Sequence, residues 1–231
     1  MFFFDIKYLL IVMLPGMLIS GAASLLVRRA FNKYSQVRSR NGYTGAQAAA
    51  MLLRDAGIGD VSIVRAQGHL TDHDNPQTRE LALSDGVYGS DSLAAVGIAC
   101  HEAGHAIQHA RNYGPLGLRS ALVPMAGIGS SLGYVVMGLG LFIHPFLVGV
   151  GVLIFSGVLL FQIVTLPVEF DATARAKKLV VETGIVSSDE RYGIDSVLNA
   201  AALTYVAAVI TTLLTIAYYL IRSGLLGGNN D

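Results

Sequence analysis

Residues 120–168 contain no Asp, Glu, Lys or Arg. Such a stretch has no charged surface to offer water, and it is long enough for two helices of about 20 residues, each able to cross a bilayer. His144-Pro145, near its middle, marks the turn between them. Two further runs read the same way. Residues 8–27 are apolar, follow Asp5 and Lys7, and precede Arg28-Arg29; Pro15-Gly16 predicts a kink. A small-residue patch, Ser20-Gly21-Ala22-Ala23, would suit a cleaved signal peptide, but the positive charges follow the run instead of preceding it, so a retained anchor is expected. Residues 196–221 form the last run. Composition agrees: 14% of residues are charged, against about 25% in soluble domains. The expected fold is a mainly α-helical integral membrane protein with about four transmembrane helices. The pair Gly129 and Gly133, with Gly138, Gly140, Gly149 and Gly151, reads as close helix packing.

The charges lie between these runs. Residues 28–119 and 169–195 hold fourteen of the sixteen Lys and Arg. Four spans put both segments on one side, and the positive-inside rule makes that side cytoplasmic. The expected organisation is therefore an N-terminal anchor (1–27), a polar cytoplasmic segment (28–119), a helical hairpin in the membrane (120–168), a second cytoplasmic segment (169–195), and a last span with a short tail (196–231). The expected location is the bacterial plasma membrane, with the bilayer as one partner. Formal net charge is zero, which gives no reason to expect a nucleic-acid partner. The single cysteine, Cys100, cannot form an intrachain disulfide and reads as a small buried residue.

Within the first polar segment, residues 44–56 (TGAQAAAMLLRDA) read as a capped helix ended by Gly57. Residues 61–64 and 81–83 alternate as short strands. The stretch GHLTDHDNP (68–76) reads as a turn by composition, or as a wall of a metal site, since it carries two histidines and two aspartates.

The chemistry-bearing stretch is His101-Glu102-Ala103-Gly104-His105. On a helix, residues four apart share a face, so His101 and His105 can reach one metal ion while Glu102 acts as general base toward water. Ser90, Asp91 and Ser92 offer an N-cap, and Leu93, Val96, Ile98 and Ile107 a buried face. His109 is not expected to be a ligand: it lies about 12 Å along the axis from His101, and no Gly turn follows the motif. It reads as a helix-surface or supporting residue. A catalytic zinc site wants a third protein ligand and leaves the fourth position to water. Glu169, at the start of EFDATARA, is the best-placed carboxylate; the plainer reading is a helix-start acid, with Asp171 and Arg175 as an ordinary i,i+4 pair.

Taken together, GHLTDHDNP, LALSDGVYGSDSLAAVGIACHEAGHAIQHA and PVEFDATARA resemble the YugP-like family of membrane zinc metallopeptidases. The resemblance runs from about Gly42 to Leu203 and includes the anchor. It is similar to the gluzincin arrangement, with H-E-x-x-H on one helix and E-F-x-A-D on a later one. It implies a zincin-like α+β catalytic domain carrying a small sheet, Zn2+ as cofactor, His101, His105 and Glu169 as metal ligands, and Glu102 as catalytic base. The acid four residues past the Glu ligand is absent; Thr173 stands there, so Asp72, Asp171 and His73 are the candidates to orient the ligands.

The expected activity is hydrolysis of peptide bonds in membrane or membrane-proximal proteins, with a peptide or protein as partner and a homo-oligomer compatible. His73, Tyr88, Tyr113 and Arg175 are candidates to stabilise the transition state, and a strand near 80–84 could hold an extended peptide. Two rivals remain at this point. A site-2-type intramembrane protease would carry its motif in an uncharged span, whereas Asp85, Asp91 and Arg111 bracket this one. A zinc-stabilised scaffold without turnover would have no use for Glu102.

Overall fold

The computed structural model describes residues 6–226; Asp5 and the tail from residue 227 lie outside the described residues. The chain is an integral membrane protein, with four helices long and apolar enough to cross a bilayer. They are α1 (Ile6–Tyr34), α4 (Gly114–Ile143), α5 (Pro145–Glu182) and α6 (Arg191–Arg222). Between α1 and α4 lie α2 (Gly45–Asp55), β1 (Ser62–Ala66), β2 (His73–Asn75), β3 (Glu80–Ser84), a single helical turn, and α3 (Leu93–Ala110). The chain divides into two compact units, one of residues 1–23, 117–166 and 204–231, the other of residues 24–116 and 167–203.

In the first unit the hairpin α4–α5 packs through its glycines. A Cβ on Gly133 would sit 2.7 Å from the backbone nitrogen of Phe155, and one on Gly129 would sit 2.9 Å from the carbonyl oxygen of Ile154. The two helices touch backbone to backbone because no side chain intervenes. Both interruptions of α-helical register are π-helical turns. One, Leu9–Met13, ends two residues before Pro15, where the kink is expected; the other is Gly129–Gly133.

The second unit is built around α3. Its N-terminus is capped by Ser92, whose hydroxyl accepts from the Ala95 amide at 3.2 Å. α2 begins with a capping box between Thr44 and Gln47, and Gly57, at φ +73°, ends its turn as the sequence predicts. Helix α3 is rich in Ala and Gly because it is packed from several sides. Gly97 abuts Ile194 of α6, and Gly104 abuts Ala172 of α5. Leu93, Val96, Cys100, Ala103 and Ile107 are buried in the same core as Leu52, Leu81 and Leu83.

The sheet is a three-stranded layer in the order β1-β3-β2. β3 runs parallel to β1, pairing Ser62 with Glu80, and antiparallel to β2, pairing Asp74 with Leu81. Two expectations are corrected here. Residues 80–84 are the central strand and are bonded on both sides, so they cannot accept an added strand; β2 is an edge. The turn read over 68–76 also contains that strand. A third correction concerns Pro167, which does not precede a new helix: α5 runs through it to Glu182. Proline is tolerated within membrane helices because neighbouring groups re-satisfy the freed carbonyl. Glu169 therefore lies mid-helix and gains nothing from a helix N-terminus.

In an open helix, Gly→Ala would add about 1 kcal/mol of stability. At Gly104 a Cβ would meet the Ala172 carbonyl oxygen at 2.8 Å. Overpacking of this kind costs about 1–3 kcal/mol and should win. Gly104→Ala is expected to lower the thermal unfolding midpoint in detergent; a rise would mean that α3 and α5 are not in this contact.

Candidate metal centre

His101 and His105 occupy successive turns of α3, with ring centroids 4.8 Å apart. Glu169 reaches them from α5, its Oε2 lying 3.4 Å from His101 Nε2 and 3.6 Å from His105 Nε2. Glu169 is 2% exposed. One ligand atom from each of the three lies within 4.8 Å of the others, and they form the only such group of three among the described residues. With metal–ligand bonds of about 2.0–2.1 Å, tetrahedral ligand atoms are roughly 3.3–3.5 Å apart. The two observed separations lie in or within about 0.1 Å of that range, and two imidazoles with one carboxylate make a donor set suited to zinc.

The outer nitrogens of the imidazoles are also held. His105 Nδ1 lies 3.0 Å from Gln108 Oε1. Gln108 Nε2 donates to the Val168 carbonyl and to Asp171 Oδ2, both at 2.8 Å. Those two acceptors fix which end of the amide is nitrogen, so Oε1 must accept from His105 Nδ1–H. With Nδ1–H so engaged, neutral His105 offers its Nε2 lone pair to a metal, and protonated His105 turns Nε2–H toward Glu169. Asp171 in turn accepts from Arg175 Nε at 2.6 Å. His101 Nδ1 meets the Thr173 hydroxyl at 3.3 Å.

The pocket favours positive charge. Burial disfavours a charged His105, yet the Glu169 and Glu102 carboxylates nearby outweigh it and raise the His105 pKa. Glu102 is half-buried on α3. Asp74, on β2, completes the surroundings: burial pushes its carboxyl up to about 6, His105 opposes the rise, and Glu102 adds to it.

Several expected residues lie elsewhere. Asp72 accepts from the Ser84 amide at 2.8 Å and from its hydroxyl, and so ties the strand instead of orienting a ligand. His73 Nδ1 is engaged by the Thr71 carbonyl at 2.8 Å. Asp171 does reach His105, but through Gln108. The Arg65 guanidinium lies over the Tyr88 ring at 4.4 Å, and that of Arg175 over Tyr113 at 5.8 Å. Cys100 is buried, and burial raises its thiol pKa, so it is inert. Gln108 was missed by motif reading. Its signal was a long polar side chain three residues past His105, on the same face of a helix otherwise built of Ala, Gly and apolar residues.

The model of a family described as "Putative neutral zinc metallopeptidase" matches residues 9–224 of the chain. The "Putative membrane protease YugP" of Bacillus subtilis (strain 168) is 41% identical over 192 residues, which is 83% of this chain and 85% of that protein. No solved structure matches.

Removing a partner that orients a metal-binding histidine weakens metal affinity by about 10–100-fold. Gln108→Leu is expected to do this while keeping the helix and its volume, as measured by competition with a zinc chelator. Wild-type affinity would show that His105 needs no orientation from Gln108.

Proposed function

Given that the chain belongs to the neutral zinc metallopeptidase family, we propose that it is an endopeptidase whose His101, His105 and Glu169 hold zinc and whose Glu102 is the general base. The observation that carries this reading is the buried Glu169 carboxylate set against both motif imidazoles, with Glu102 close enough for His105 to feel its charge. Bound zinc supplies Lewis acidity, lowering the pKa of a water to about 7 and polarising the scissile carbonyl.

The protein's own groups do the rest. Glu102 accepts the proton of the attacking water and returns it to the leaving amine. Gln108 and Thr173 hold the imidazoles in place. The edge strand β2, packed against α3, is the element along which an extended substrate backbone can pair. The substrates would be membrane or membrane-proximal proteins, since the same helix α5 carries both an uncharged span and Glu169. The scaffold alternative gives Glu102 no task, and a structural zinc site closes its fourth position with a protein ligand. The basic asymmetry of the chain supports a cytoplasmic site in a bacterial plasma membrane.

Glu102→Gln keeps size and hydrogen bonding but lacks a basic carboxylate. It should retain about one zinc per chain and lose about 10²–10⁴-fold in cleavage of a membrane-proximal reporter. His101→Ala and Glu169→Ala should lose metal and activity together. Wild-type cleavage by Glu102→Gln would end the proposed mechanism. For topology, reporters fused at Gly68 and near Asp189 should both read cytoplasmic and one at His144 external; opposite sides for the first two would refute a shared site.

A further inference from the structure

We propose that Asp74 and His109 form a pin that holds the edge strand β2 against the metal-binding helix, making both of them positioning residues for substrate. The inference rests on the peptidase reading for its purpose, but not for its geometry.

Three side chains fix this three-residue strand. Asp72, just before it, is clamped by the amide and hydroxyl of Ser84. Asn75, its last residue, accepts from the Gln77 amide at 3.1 Å and so shapes the following turn. Asp74, between them, turns the other way. Alternation along a strand sends the side chains of 73 and 75 to one face and that of 74 to the other. His73 is exposed, whereas the Asp74 side chain is 5% exposed. Asp74 Oδ2 is buried and lies 3.5 Å from His109 Nε2. That is long for a hydrogen bond, so the contact is electrostatic, between a carboxylate and an imidazole whose Nε2–H or positive charge faces it.

The location gives the pin its meaning. His109 is one turn beyond His105. Glu102 lies seven residues before His109 and therefore on nearly the same stripe of α3. Asp74 is close enough to Glu102 and His105 to feel both charges. The strand is thus tethered over the stripe that carries the proposed base. It is too short to be held by its backbone ladder alone, since it pairs only through residues 73–75 and only on the β3 side. Without the tether, its free edge would not keep a fixed distance from Glu102. This assigns a task to the GHLTDHDNP stretch and to His109, neither of which is needed as a metal ligand.

The test is a double-mutant cycle on the full-length protein in detergent: wild type, Asp74→Asn, His109→Gln and the double variant. Zinc content should be the same in all four. Amide hydrogen exchange over residues 72–75 should speed up roughly tenfold in each single variant, the size expected when a contact to a buried charged group is lost, and the double should be no faster than either single. For a cleaved peptide, KM should rise about tenfold with kcat within about twofold, because the pin acts on substrate placement and not on proton transfer. Unchanged exchange in either single variant, or additive effects in the double, overturns the pin. Faster exchange with unchanged KM overturns its role in holding substrate. If the wild type cleaves no peptide at all, the peptidase reading fails while the exchange cycle still decides the pin; peptide affinity measured in the Glu102→Gln background then replaces KM, and equal affinity with and without Asp74→Asn overturns the substrate role.

Discussion

The Glu169 carboxylate is the interaction on which the second unit depends. A buried, ionised carboxylate costs several kcal/mol unless charge and hydrogen bonds compensate it. Here two imidazoles from one helix face it at 3.4 and 3.6 Å. α5 must therefore keep one axial register against α3. The backbone contact at Gly104 allows the approach, since Ala172 sits one turn beyond Glu169 on the partner helix. Packing and chemistry are the same constraint seen twice: the small residue between the two histidines admits the helix that brings the acid.

Around this centre the supporting groups are neutral. Gln108 faces one imidazole and Thr173 the other. A carboxylate in either place would make its histidine a more basic ligand and add negative charge. Amide and hydroxyl fix orientation without that charge. With one anionic ligand and neutral supports, more of a bound dication's charge would be left to polarise a carbonyl. The nearest supporting acid, Asp171, stands one step further out and is paired with Arg175.

Much of this was legible in the chain because the signals were local. Uncharged runs gave the four spans, and the turn at His144 separates α4 from α5 as expected. Ser92 and Thr44 cap the helices they precede. The H-E-x-x-H spacing named two of the three clustered residues, and Glu169 stood out as the best-placed carboxylate, a choice that the resemblance also implies. What was not legible depended on tertiary contacts. Pro167 looks like a helix start in sequence, yet α5 continues through it. β2 reads as a turn because His-Asp-Asn is poor in strand-forming residues. Its extended form is imposed by Asp72, Asn75 and pairing with β3, none of which a local pattern reveals. Gln108 carried only its place three residues past His105 as a signal, because the acceptors that fix its amide lie sixty or more residues away on α5.

The motif helix also explains why one short sequence can serve several neighbours. At about 100° per residue, His101, His105 and Gln108 fall within an arc of roughly 60°, with Gly104 at its margin. That arc meets α5: the metal-facing nitrogens, the orienting amide and the close backbone approach all point there. Glu102 and His109 fall together roughly 90° further round, and that direction meets β2 through Asp74. The fold thus separates the two tasks by angle. α5 closes the His101-His105-Glu169 cluster, whereas the sheet edge meets the stripe of Glu102 and His109 through Asp74. Moving the motif by one residue in either direction would turn the histidines away from Glu169 and the base away from the strand together, which is why neither function can shift independently along this helix.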